Sequence, residues 1–442
     1  MNSTISSDVA DSGPRLHKQC ADAGHRAARI LPALLAACVG ISTVPPASAD
    51  TANQSFEIYG FAQLDWIQDS KRVDPNWEDA FRPSKIAAPE GEFGTNGQAS
   101  VSVKQSRFGV KGTVPTGDSY PPINFKFEFD MFGTGVDAGQ TTFRLRHAYG
   151  EWGQILAGKT HSLFMDIDVF PDVIDYWGPP GMVFNRDAQL RWTPYRTSNA
   201  TFAISLEQPS NDADPGNIRL IEEYANATVR GNETIPDLAA QYRMDGSWGH
   251  FQVAGLLRRV GYEYNVNPAL TPTAWFKGSQ TGWGIDVSAA INTIDKDRLL
   301  LSVVYGDGIA TYMNDGGMDL APTATLNPLS PTPSLSAEAV PLLGVVAYYG
   351  HYWTPKLESS IGYSFTQVSN TNFQAGNAFR KGEYASGNLI MYPTDKVMFG
   401  VEVMWGKRED NTNNPGDLPG YGATGNDWRF QLSAKYNFGI KL

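Results

Sequence analysis

Few side chains in this sequence are spaced for covalent chemistry, and the most suggestive group sits in the wrong context. Gly153 to Thr160 (GQILAGKT) matches the phosphate-loop pattern G-x-x-x-x-G-K-[ST] letter for letter. That motif works because a glycine turn after an apolar strand opens a helix whose N-terminal N–H groups cradle phosphate. Here the preceding residues, Arg144 to Tyr149 (RLRHAY), alternate in polarity, Ile155 to Ala157 reads as strand, and His161 to Asp166 carries no helical stripe. The stretch is therefore expected to be a turn followed by a strand. The histidines beyond residue 49, His147, His161, His250 and His351, are widely scattered, and no H-E-x-x-H, G-x-S-x-G or C-x-x-C pattern occurs. Catalysis, a metal and a cofactor are accordingly not expected. The remaining chemistry is electrostatic. Arg107, Lys126, Arg144, Arg146 and Arg191 alternate with apolar neighbours, and Asp166, Asp168, Asp172 and Asp175 crowd the single stretch His161–Asp187.

The elements that must position these charges have a period of two. Ile123, Phe125, Phe127, Phe129 and Met131 alternate with Asn124, Lys126, Glu128 and Asp130. Trp428, Phe430, Leu432, Ala434, Tyr436 and Phe438 likewise alternate with Arg429, Gln431, Ser433, Lys435 and Asn437. Successive strand side chains point to opposite faces, so each segment has one apolar and one polar face. Sixteen such segments start near Phe56, Ala99, Ile123, Thr142, Gln154, Gln189, Thr201, Asp237, Gly249, Gly282, Arg298, Leu342, Leu357, Glu383, Lys396 and Asp427. The phase of the second shifts between Val103 and Phe108, which suggests a bulge near Gln105. Several segments run to about ten residues, the length that crosses a bilayer's hydrocarbon core when tilted. Long and short connections alternate, and an open sheet edge cannot be left in lipid. The expected fold is all-β: a closed, antiparallel, transmembrane barrel of 16 strands, with a β-sandwich as the alternative.

Composition agrees. The chain has 442 residues with 35 basic and 46 acidic side chains, and no run of 18 apolar residues long enough for a membrane helix. A net charge of −11 disfavours nucleic acid as a partner. The 52 aromatic residues exclude a disordered chain. Residues 1–49 read as a cleaved signal peptide: basic Arg15, Lys18, Arg26 and Arg29, the apolar run Ile30 to Ile41, then Ala47, Ser48 and Ala49. Leu35 to Cys38 (LAAC) offers a competing lipoprotein box at Cys38. Residues 50–442, a single barrel domain, would then carry no cysteine and a net charge of −12.

Within that frame the stretch after the fifth segment differs from its counterparts. His161–Asp187 is apolar, aromatic and acidic at once, where an external loop should be hydrophilic. Folded into the lumen, it could pack Phe164, Phe170, Tyr176 and Trp177 on the wall, with Pro179 and Pro180 stiffening its return. Its four aspartates could then face the inward arginines as a transverse field that selects ions. Pairing of those arginines with Glu128 or Asp130 is the alternative, as is a surface or subunit-packing role for the loop.

Several motifs resemble the DcaP-like trimeric porins of Gram-negative outer membranes. They are Ile58–Asp65 (IYGFAQLD), Arg82–Ile86 (RPSKI), Gln105–Gly112 (QSRFGVKG), Phe127–Gly135 (FEFDMFGTG), Arg144–Gly153 (RLRHAYGEWG), Met165–Asp168 (MDID) and Asp175–Gly181 (DYWGPPG). The match is dense from Phe56 to about Pro194 and thinner beyond. The resemblance implies a homotrimer in outer-membrane lipid passing small-molecule solutes, dicarboxylates among them. Arg107, Arg144 and Arg146 would suit such anions, because guanidinium binds carboxylate bidentately. Only Asp50 to Ser55 precedes the first strand, so the periplasmic coiled coil of some members is not expected. A pore for cations or neutral aromatic solutes is the alternative reading, and a lipid hydrolase or adhesin a more distant one.

Overall fold

The computed structural model describes residues 54–325, 333–412 and 422–442; the expected signal segment and Cys38 lie outside them. Eighteen strand segments form one antiparallel sheet. The second span is split in two, and Thr228–Gly231 is a short extension paired with a longer strand, which leaves sixteen spans. These are β1 (Ser55–Asp69), β2 (Gln98–Ser102 and Arg107–Val114), β3 (Ile123–Phe132), β4 (Thr141–Trp152), β5 (Ile155–His161) and β6 (Arg186–Arg196). They continue with β7 (Ala200–Glu207), β8 (Asp237–Gly246), β9 (Gly249–Asn265), β10 (Phe276–Asn292) and β11 (Arg298–Asp307). The last five are β12 (Pro341–Thr354), β13 (Leu357–Val368), β14 (Phe379–Thr394), β15 (Val397–Asp410) and β16 (Thr424–Lys441). β16 returns to β1 in continuous register from Glu57↔Lys441 to Asp69↔Arg429, so the sheet closes and has no free edge.

Burial along the strands is inverted relative to a water-soluble sheet. In β1, Gln63, Asp65 and Asp69 are buried, whereas Leu64 and Trp66 point outward and are exposed. The same holds in β16, where Arg429 and Gln431 are buried and Trp428, Phe430 and Leu432 are exposed. Apolar outside and polar inside is the pattern that lipid imposes on a barrel.

Two irregularities re-aim side chains. β2 breaks between Ser102 and Arg107, where the sequence phase shifts. In β4 the register slips opposite Glu128 and Phe129, which pair with His147 and Leu145. Arg146 is the extra residue of this bulge, and both it and His147 are buried inside. The strand therefore changes phase there, which simple alternation does not anticipate.

The core lies inside the barrel. Phe81 and Ile86 from the link after β1, Phe164, Val169 and Met182 from the link after β5, and Ile309 and Tyr312 from the link after β11 pack with inward side chains such as Leu342, Val346, Tyr348 and Tyr384.

Candidate functional site: a cation-lined chamber within the barrel

On the wall formed by β2, β3 and β4, two carboxylates organise four cations. Glu128 accepts from Arg146 Nε at 2.8 Å and from the Tyr59 hydroxyl at 2.8 Å, with Lys126 at 3.2 Å and Arg107 at 3.7 Å. Asp130 takes Arg144 through two bonds, 3.0 Å from Nε and 2.6 Å from Nη2, and Arg146 Nη1 at 2.8 Å. Cross-strand neighbours on one face of a sheet are close enough for this, and the bidentate fork adds direction to charge. Each acid is nearly inaccessible, so the wall arginines are held in place rather than free to sweep the lumen.

The link between β5 and β6 lies against the inward side chains of distant strands. Ile174 and Asp175 donate their backbone N–H groups to Glu402 of β15 at 2.7 and 3.0 Å. Asn388 of β14 donates to the Asp172 carbonyl at 2.6 Å, and Gln252 of β9 to the Met165 carbonyl at 3.2 Å. Gly181 N–H donates to Ser364 Oγ at 2.9 Å. A Cβ at Gly181 would lie 2.1 Å from the Phe365 carbonyl oxygen and 2.6 Å from the Val345 nitrogen. Only glycine lets the backbone approach β12 and β13 this closely.

Three links meet at one clasp. The Arg82 guanidinium lies over Trp77 and Trp177 at 4.1 and 4.3 Å and pairs with Asp315 at 2.8 Å. Trp177 Nε1 donates to the Asn314 carbonyl at 2.6 Å, and Asn314 Nδ2 donates back to the Trp177 and Pro179 carbonyls at 2.7 and 2.8 Å. Trp177 and Asn314 also border a cavity of about 620 Å³, whereas Arg82 borders another of about 360 Å³.

The larger chamber gathers six cations, Arg107, Arg144, Arg146, Lys159, Arg186 and Lys435, and a single carboxylate, Asp175. From the link it receives Phe170, Tyr176 and Trp177, which present rings rather than charge. Tyr176 stacks on Phe132 with centroids 4.0 Å apart and donates its hydroxyl to Asp130 at 2.5 Å, joining link to wall.

The four aspartates of the link, expected to face the inward arginines, have different surroundings. Asp175 is buried and accepts from the backbone N–H groups of Phe81, Trp177 and Gly178 at 2.9, 2.9 and 3.0 Å. Burial pushes its carboxyl up, with Arg429 and those N–H donors opposing. Asp166 is also buried, bonded to His250 Nε2 and Ser288 Oγ, each at 2.7 Å. Burial pushes that carboxyl up too, but His250, Ser288 and Arg243 outweigh it and hold it below its ordinary value. Asp168 pairs with Arg243 at 2.7 Å, and Asp172 is exposed. An apolar loop can dock on a polar wall only if its backbone and acids find partners there, and that requirement consumes two of the four charges.

Of the basic residues singled out by spacing, Arg107, Arg144 and Arg146 border the chamber. Lys126 reaches Glu128 beside it, and Arg191 lies apart from it, donating to the His161 carbonyl at 2.6 Å. Pro179 and Pro180 are buried in the returning link. Spacing missed Lys159, Arg186 and Lys435. Lys435 shares the polar face of Arg429 and Gln431 and was legible by parity. Arg186 opens β6 three residues before the alternation becomes clear at Gln189.

The phosphate-loop look-alike is a turn at Gly153, with φ of 60°, followed by β5. Asp166, His250 and Ser288 lack the arrangement of a hydrolytic triad, because serine and histidine both bond the same Asp166 oxygen and the hydroxyl donates to the carboxylate rather than to the imidazole. One donor atom each from Asp166, Asp168 and His250 lies within 4.8 Å of the others, as a cation site would need. Arg243, at 2.7 Å from Asp168 and 3.6 Å from Asp166, already supplies positive charge there.

The barrel has clear counterparts. The outer membrane channel DcaP of Acinetobacter baumannii superposes with a TM-score of 0.68 at 21% identity, over 88% of this chain and 99% of that one. An anion-selective porin from Comamonas acidovorans superposes with a TM-score of 0.54 at 8% identity, over 87% of this chain and all of that one. At these identities the likeness is one of fold. None of the curated proteins matches the sequence. The model of the DcaP outer membrane protein family, however, matches residues 43–292, more than half of the chain. This sixteen-stranded protein therefore belongs to the DcaP family and is a porin of the Gram-negative outer membrane.

Proposed function

We propose that the protein admits small hydrophilic solutes by passive, selective diffusion, and that it favours organic anions such as dicarboxylates. The observation that carries this reading is the lining of the chamber: six cations against one carboxylate that is turned into hydrogen bonds with the backbone. A low-dielectric lumen strengthens such an imbalance, and rings of side-chain charge set ion selectivity. In this reading Arg107, Lys126, Arg144, Arg146 and Arg191 supply positive potential. The link bearing Phe170, Tyr176, Trp177, Pro179 and Pro180 narrows the passage, while Asp168 and Asp172 add a weaker negative edge. The aromatic face of the link favours a second reading, a pore for neutral aromatic solutes. Residues 1–49 would be removed on export, leaving 50–442 as one barrel domain. No catalytic, metal or cofactor role is assigned.

The reading includes a homotrimer, and strand length supports a subunit contact. β5 has seven residues and β7 eight, fewer than the nine to eleven or so that a lone strand needs to cross a bilayer. A neighbouring copy covering that sector would keep its backbone out of lipid. The test of function is the reversal potential of purified protein in a planar bilayer across a KCl gradient. Anion preference supports the proposal; cation preference removes it.

A further inference from the structure

We infer that Arg186 and Lys435, rather than the arginines paired on the wall, are the groups that engage an anionic solute in the chamber. The inference rests on the anion-selective reading above and names residues which that reading does not single out.

Glu128 and Asp130 are approached by four cations and two tyrosine hydroxyls, so Arg144 and Arg146 spend their forks on the protein itself. Arg107 is engaged more loosely, with one approach of 3.7 Å to Glu128 and a buried Nε that has no partner. Arg186 goes further. It borders the chamber, its Nη1 is buried without a partner, and among the described residues no carboxylate pairs with it. Lys435 borders the same chamber, and its ammonium likewise has no ion pair or hydrogen bond among the described residues. Lys159, by contrast, donates to the Arg186 carbonyl at 2.5 Å.

What holds the two free cations is aromatic. The Arg186 guanidinium lies 5.1 Å from the centroid of Phe184, and Lys435 Nζ lies 4.9 Å from that of Phe61. A ring face attracts a cation without using up its N–H donors. The donors therefore remain for a third party. Leaving a charged donor unsatisfied away from water is costly, and an oxyanion removes that cost at Arg186, whose Nη1 is buried, while the half-buried Lys435 adds an unpaired charge at the same chamber. Arg186 offers a fork suited to a carboxylate, and Lys435 a point charge. The chamber thus has built sites for an anion at two places on its lining and a structural ion network between β2, β3 and β4.

The test uses succinate as the probe, added to the full-length protein in planar bilayers, with block of the chloride current as the readout. Arg186→Gln and Lys435→Gln are each expected to weaken succinate block by roughly tenfold or more, as loss of a charged hydrogen-bond donor would. Arg230→Gln, which removes the same charge from the strand extension Thr228–Gly231, away from the chamber lining, should leave the block unchanged. Arg186→Lys should fall between wild type and Arg186→Gln. Wild-type block in both glutamine variants, in a pore that still prefers anions, overturns this inference while sparing the broader one. Cation preference in the wild-type protein overturns both. Lys435 has no hydrogen bond or ion pair among the described residues and loses only its contact with the Phe61 ring, so its variant keeps the test decisive should Arg186→Gln fail to insert.

Discussion

The chamber has two sides that use charge in opposite ways. On the wall of β2, β3 and β4, Glu128 and Asp130 stay on the sheet that presents Arg107, Lys126, Arg144 and Arg146, and charge meets charge at the lumen surface. On the link between β5 and β6, Asp166 is bonded to His250 and Ser288 away from the chamber, Asp175 at its border is bonded to backbone N–H groups, and Phe170, Tyr176 and Trp177 present rings to it. The wall keeps its acids where they tune the arginines. The link spends its acids on being held. The field across the chamber is consequently that of a basic wall against an aromatic face, and a charged side chain's presence in a pore segment does not tell whether it serves solute or scaffold.

That contrast can be broken most severely at the link's anchor. Arg429 is fully buried, pairs with Asp69 at 2.6 Å and approaches Asp175 at 3.8 Å. Arg429→Ala should cost about 3–5 kcal/mol, because it strands a buried carboxylate. Urea unfolding of the detergent-folded barrel would read this as a lower midpoint, and an unchanged midpoint would show that the link is not held by charge.

The wall answers differently. Glu128→Gln should leave the barrel folded and release Arg107, Lys126 and Arg146 toward the lumen. Anion preference, read from reversal potentials, is expected to rise about threefold, equivalent to roughly 0.7 kcal/mol. A fall in anion preference would mean that Glu128 does more to position the arginines than to neutralise them.

The smallest effect belongs to the link's exposed pair. Asp168 and Arg243 are 2.7 Å apart, with side chains 48% and 22% exposed, and solvent screens them. Asp168→Asn should change stability by less than about 1 kcal/mol and hardly move the reversal potential. A loss as large as that of Arg429→Ala would place Asp168 among the anchors and erase the distinction within the link.

Much of the fold was legible because lipid imposes a one-dimensional rule. The expected starts at Ile123, Asp237, Gly249, Arg298 and Leu357 coincide with the first residues of β3, β8, β9, β11 and β13. The segments expected near Leu342 and Glu383, apolar or small on both faces, are present as well. Two strands begin earlier than alternation indicates, at Phe276 rather than Gly282 and at Phe379 rather than Glu383. The ladder continues through those residues although the alternation fades, because backbone pairing does not require one face to be apolar.

The sequence by itself determined the closed sixteen-stranded sheet and the inward parity of Arg107, Lys126, Arg144 and Arg191, because strand geometry and an apolar solvent act residue by residue along the chain. Only the tertiary structure decided which charges are already paired. The bulge at Arg146 turns His147 inward beside it, three links far apart in sequence meet at Arg82, Trp177 and Asp315, and Asp175 is used up by Phe81, Trp177 and Gly178. Those outcomes depend on which side chains closure of the barrel brings together, and pairing between residues distant in sequence leaves no period for alternation to reveal.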